Sequence, residues 1–167
     1  DEETAELAAN TLLSQGIRRI DGLILTHFDR DHAGGVEDLM AVIRVDRLFI
    51  PDYEDEAGIH AMLRETAPDK IIYVRSDLQL TYESTKITIF APALPDKGNE
   101  SSLAVLFQGG NCDILVTGDR GGFGERILLK SGIIPDLEVL VAGHHGARDS
   151  TCEELLRATT PEIVLIS

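Results

Sequence analysis

Six consecutive residues, His27-Phe28-Asp29-Arg30-Asp31-His32, carry four side chains able to bind a metal ion, and they follow the apolar run Leu23-Ile24-Leu25. A strand cannot present all four to one centre, because neighbouring side chains point to opposite faces. A tight loop leaving the end of a strand can. Two carboxylates held this close repel one another unless a cation lies among them. The following Ala33-Gly34-Gly35 lets the backbone turn sharply into a helix starting at Val36. Strand, ligand-rich loop, glycine turn and helix together predict a layered α/β chain with a metal site at a strand end.

The rest of the sequence fits that frame. Helices are expected over Thr4 to Gln15, with Leu7, Leu12 and Leu13 on its buried stripe and Gly16 as C-cap, and over Val36 to Ile43, Ala57 to Glu65 and Phe123 to Lys130. A last helix is expected from an Asp149/Ser150/Thr151 cap to Arg157. Strands are expected at Gly22–Thr26, Arg47–Ile50, Ile71–Val74, Leu103–Phe107, Asp113–Thr117, Val139–Val141 and Ile163–Ile166. Gln79–Tyr82 and Lys86–Ala91 alternate as a hairpin turning at Glu83-Ser84-Thr85. Pro92–Glu100 reads as a loop. At 167 residues, 43% hydrophobic and 26% charged, this is one α/β domain with a sizeable core. No apolar run approaches the roughly 20 residues of a membrane span. The net charge of −14 weighs against a basic nucleic-acid surface, although metal ions can supply positive charge locally. Cys112 and Cys152 show no CxxC spacing and read as buried small apolar residues.

Three further segments repeat the grammar of the first. Leu115-Val116-Thr117-Gly118-Asp119 is an apolar run delivering a carboxylate. Val139-Leu140-Val141-Ala142-Gly143-His144-His145-Gly146 delivers two imidazoles between glycines. Asn99-Glu100-Ser101-Ser102 precedes the run Leu103–Phe107. In layered α/β folds strand ends on one sheet edge converge, and ligands bind there.

His27-x-Asp29-x-Asp31-His32, Gly118-Asp119 and His144-His145-Gly146, in that order, resemble the metallo-β-lactamase superfamily, and within it the hydrolase domains of the ComEC-type subgroup of DNA-internalisation competence proteins. There the usual HxHxDH becomes HxDxDH, an Asn-x-x-Ser (here Asn99 and Ser102) precedes a strand, and a Ser/Thr (here Ser150 and Thr151) follows HHG. The resemblance runs from about Gly16 to Ser167. It implies an αββα sandwich with its metal centre at the edge between two sheets. It also implies truncation at both ends, with an opening β-hairpin before Asp1 and a final strand-end motif after Ser167. By the same resemblance His27 and Asp29 match ligands of a first metal, Asp31 and His32 match ligands of a second, and Asp119 matches the bridging carboxylate. The histidine that many members place between these motifs is missing, with Asn99 or Ser102 near its position. Oxygen donors in place of two imidazoles shift preference toward harder ions, so one or two ions of Mn²⁺ or Zn²⁺ are expected, with Mg²⁺ also admissible.

The expected chemistry is metal-assisted hydrolysis of a phosphodiester, with one or two divalent ions activating water and stabilising developing charge. Asp31 and Asp119 are expected to hold metal and orient the water, His144 or His145 to protonate the leaving oxygen or bind phosphate, and Asn99 and Ser102 to bind substrate or phosphate. The resemblance implies DNA, in single-stranded form, as substrate, attachment to a membrane channel in a longer protein, and work on the extracellular face of a bacterial membrane. A cytoplasmic or secreted chain is the alternative. Two other functions stay open at this point: a hydrolase of small esters, lactones or phosphates, and a non-catalytic module with a degraded metal site.

Overall fold

The computed structural model describes residues 2–94 and 98–167; Pro95, Asp96 and Lys97, in the expected loop, lie outside the described residues. The chain divides into two compact units, Asp1–Tyr73 and Val74–Ser167.

The first unit runs α1 (Glu2–Ser14), β1 (Arg19–Ile20), β2 (Leu23–Ile24), α2 (Arg30–Ala33), α3 (Val36–Val42), β3 (Arg44–Val45), β4 (Leu48–Ile50), α4 (Ile59–Thr66) and β5 (Ile71–Tyr73). A parallel sheet of order β2-β4-β5 is joined by a short parallel pair, β1 with β3. The core gathers Leu25, Phe28, Val45, Leu48, Ile50 and Leu63. Two expectations are corrected here. Leu7 of α1 is exposed, and the buried stripe is Ala5 and Ala9; small residues at i and i+4 let α1 lie close against α3. Asp31 and His32 sit on the single helical turn α2, which closes at Gly34, because the Asp29 carbonyl accepts the amides of His32 and Ala33.

Phe28, the residue between the first two candidate ligands, is almost fully buried. Its ring lies edge-on to Tyr53, with centroids 5.0 Å apart, and 5.6 Å from His60. Its amide donates to the Tyr53 hydroxyl at 3.2 Å. Phe28→Ala should therefore destabilise the chain by about 3–5 kcal/mol, the usual loss for a buried aromatic, read as a lower urea midpoint.

The second unit contains β6 (Leu78–Tyr82), β7 (Thr85–Phe90), β8 (Ala104–Gly109), β9 (Cys112–Val116), α5 (Gly122–Leu129), β10 (Val139–Val141), α6 (Glu153–Thr159) and β11 (Ile163–Leu165). One sheet orders them β11-β10-β9-β8-β7-β6. The strands β6 to β9 form an antiparallel meander, and β9, β10 and β11 run parallel. Leu106, Leu115, Leu128, Leu140 and Leu155 fill the core. The cysteines depart from expectation, Cys112 being exposed and Cys152 half-buried; Cys112 stands at the hairpin turn and Cys152 at a helix start, where chain ends reach the surface. The start of α6 is corrected too. Its N-cap is Cys152, with no cap from its own side chain, because the Glu125 carboxylate of α5 accepts the amides of Thr151 and Cys152 instead. Among the described residues no helix is long and apolar enough to cross a membrane.

Candidate functional site

In the first unit the ligand-rich segment leaves β2 as the sequence indicates. His27 is buried, and its Nε2 lies 3.8 Å from Asp29 Oδ2. The rings of His27 and His32 are 4.1 Å apart between centroids, and His32 Nε2 is 3.7 Å from Asp31 Oδ2. Thr26 Oγ1 sits 3.0 Å from His27 Nδ1. Asp29 occupies the N-cap position of α2 without spending its carboxylate on the cap, and its side chain is 64% exposed. Donor atoms sharing one ion at metal–ligand distances near 2.1 Å stand about 3–3.6 Å apart. Within this unit the separations of 3.8 Å between His27 and Asp29 and 3.7 Å between His32 and Asp31 are close to that range, so each pair offers one imidazole and one carboxylate to a divalent ion.

In the second unit three segments meet at one sheet edge. β9 and β10 are parallel, with Val116 beside Val141, so Asp119 and His144 emerge side by side. β8 is antiparallel to β9, with Val105 beside Val116, so the start of β8 brings Asn99 and Ser102 to the same edge. Asp119 is nearly buried, and its carboxylate lies 4.0 Å from His144 Nε2. The Asn99 amide Nδ2 contacts His144 Nδ1 at 3.1 Å, and Asp149 Oδ1 is 4.0 Å from the same nitrogen. His145 is exposed, with Nδ1 3.2 Å from Ser167 Oγ. Ser102 is fully buried, and its hydroxyl accepts the Asp119 amide at 3.2 Å. That contact lets the buried Ser102 hydroxyl seat Asp119 through its amide.

The turn carrying the histidines is held under strain. His144 (φ 47°) and His145 (φ 54°) both adopt left-handed backbone, which costs roughly 1–2 kcal/mol per residue. Gly143 permits the crossing before it: a Cβ there would lie 3.0 Å from the Arg120 carbonyl and 3.1 Å from Glu125 Oε1.

Arg120, Glu100, Glu125 and Asp149 were not foreseen. Arg120 is buried and donates to the carbonyls of Ser102, Phe90 and Ala91, tying three strand ends together. Burial pushes its pKa down to about 10, so it stays charged at neutral pH. Its place directly after Asp119 was the only available signal. Glu125 follows the pattern of a solvent-facing helical residue and gave none. Glu100 packs against Gly121 and Gly124 at the start of α5, and burial raises its carboxyl above the usual 4.5. A raised folded-state pKa contributes stability that is fully present below pH 4.5 and is lost as pH rises through the folded value. Relative to Glu100→Gln, the parent chain should therefore lose stability as pH rises above about 4.5, the unshifted value. Paired urea melts across that range check it; parallel pH profiles would contradict it.

A mixed α/β chain that delivers histidines and aspartates from successive strand ends has the form of a metallohydrolase. The profile of the metallo-beta-lactamase superfamily matches residues 1–167, and the chain belongs to that superfamily. It is 32% identical over 165 residues to the ComE operon protein 3 of Bacillus subtilis (strain 168), covering 93% of this chain and 21% of that protein. It is also 32% identical over 158 residues to the competence protein ComA of Neisseria gonorrhoeae, covering 94% of this chain and 21% of that protein. The chain thus spans about a fifth of the length of these relatives. Among solved structures, CmlA, a diiron β-hydroxylase from Streptomyces venezuelae, aligns with a TM-score of 0.61 at 19% identity, over 88% of this chain and 35% of that one. At that identity the likeness shows the fold alone.

Proposed function

We propose that this chain is a divalent-metal-dependent phosphodiesterase that cleaves DNA in the course of DNA uptake. The observation that carries the reading is 32% identity, over nearly the whole chain, to a protein named for competence, in a chain whose candidate ligands are rich in oxygen donors. His27, Asp29, Asp31, His32 and Asp119 are the residues proposed to hold metal, and their make-up favours Mn²⁺ or Mg²⁺ over the zinc preferred by imidazole-rich sites. When bound, the metal supplies charge to acidify water and to neutralise a phosphoryl oxygen.

The protein's own groups divide the remaining work. Asp31 orients the attacking water. Asn99 holds His144 through Nδ1, which leaves Nε2 to carry the proton given to the leaving oxygen. Ser102 keeps Asp119 in place through its amide. The test is metal analysis of the purified chain, followed by incubation with a single-stranded oligonucleotide and with a panel of p-nitrophenyl esters, each in Mn²⁺, Mg²⁺ or Zn²⁺. Metal-dependent cleavage of the oligonucleotide is expected. Turnover of the esters alone would favour a small-ester hydrolase, and failure to take up any metal would leave a non-catalytic module.

A further inference from the structure

Glu125 is fully buried yet lies on a helix, and none of the chemistry above uses it. Its two carboxylate oxygens accept successive amides, Thr151 N at 2.7 Å and Cys152 N at 2.7 Å. This fixes the segment that begins α6. The same segment then grips the histidine turn from both sides of one residue. Thr151 Oγ1 accepts the Gly143 amide at 3.0 Å, and the Ser150 hydroxyl donates to the Gly143 carbonyl at 2.6 Å. The next amide, that of His144, donates to the Gly118 carbonyl at 3.1 Å, beside Asp119. Thr151 is itself left-handed, with φ 50°. Three non-glycine residues in unfavourable backbone, His144, His145 and Thr151, thus hang on one buried carboxylate.

We infer that Glu125 is a positioning residue for His144: it acts through Thr151 and Ser150 to hold the Gly143-His144 peptide in its strained left-handed form, so that the imidazole stays between Asn99 and Asp119. A carboxylate suits this task as no neutral group does. Both of its oxygens accept, and charge-assisted bonds to backbone amides are short and strong. A glutamine in its place must turn an NH₂ donor toward one of two amide donors, leaving a buried amide without its bond. The buried Arg120 guanidinium supplies the compensating charge nearby. The inference rests on the reading of His144 as the group serving the leaving oxygen.

Glu125→Gln is the direct test, with Leu128→Ala as control, since Leu128 lies on the same helix and packs only into the core. Imidazole Cε1–Hε1 resonances are recorded for each variant of the chain. Hydrolysis of bis(p-nitrophenyl) phosphate in Mn²⁺ is followed in parallel. Glu125→Gln should shift and broaden the His144 resonance while that of His60 stays in place. It should lower kcat roughly 10- to 100-fold, the scale of a small misplacement of a reacting group, with KM little changed. Leu128→Ala should lower Tm and leave both the His144 resonance and kcat unaltered. Thr151→Val, which removes the hydroxyl and keeps the amide bonded to Glu125, should reproduce the Glu125→Gln signature, and it decides the matter if Glu125→Gln does not fold. An unmoved His144 resonance with unchanged kcat in the folded variants would overturn the inference, as would the same signature from Leu128→Ala. If the parent chain itself hydrolyses no phosphodiester, the proposed function fails, and the resonances alone decide the role of Glu125.

Discussion

Replacing Asp31 by alanine should abolish metal binding and turnover together while leaving the fold intact. The Asp31 side chain is 61% exposed, and substitutions at such positions shift stability by only about 0.5 kcal/mol. Loss of function therefore cannot come from unfolding. Removing one oxygen donor takes away both charge and a coordination position, which a neighbouring water replaces only in part. Calorimetric titration with Mn²⁺ and an unchanged circular dichroism spectrum would make the case. Hydrogen exchange adds a second readout. Mn²⁺ should slow exchange over residues 27–33 in the parent chain more than in α3, and should do nothing in Asp31→Ala. Undiminished Mn²⁺ affinity in the variant would remove Asp31 from the ligand set.

His144→Ala should behave differently, keeping metal and losing rate. The expected fall in kcat is about 10²- to 10⁴-fold, the usual contribution of a general acid. Its imidazole is held at Nδ1 by Asn99 and faces Asp119 through Nε2, whereas His145 is exposed and contacts Ser167. The two histidines should therefore contribute unequally, with His144→Ala the costlier change. The check is metal content and single-turnover rate for each variant side by side. Parallel loss of metal and rate in both would make the histidines ligands. An unchanged rate in both would make the HHG turn a surface feature.

The sequence made the strand ends legible because each announces itself twice, as an apolar run and as an abrupt change to polar residues. The apolar run Val139–Val141 is a strand over its full extent, and β4, β5, β7 and β9 begin and end within one or two residues of theirs. The family resemblance, resting on HxDxDH, GD and HHG, holds across the whole chain. What stayed hidden depends on partners distant in sequence. β1 and β3 are two-residue strands whose pairing, Arg19 with Arg44 and Ile20 with Val45, leaves no periodicity to read. Asp149, Ser150 and Thr151 are the residue types that usually cap a helix, but a glutamate 26 residues upstream of Thr151 takes that role at α6. Leu7 outranks Ala5 and Ala9 in hydrophobicity, but closeness of approach between α1 and α3 decided which face is buried.

In the first ligand segment anchorage and chemistry fall on alternate positions: Phe28 is sunk among Tyr53 and His60, while the carboxylates of Asp29 and Asp31 stand in the open. Residues 29 and 31 can therefore exchange imidazole for carboxylate, or the reverse, with little charge to folding. Under the proposed function, single substitutions at these two positions alter the donor set offered to an ion without disturbing the Phe28 anchor.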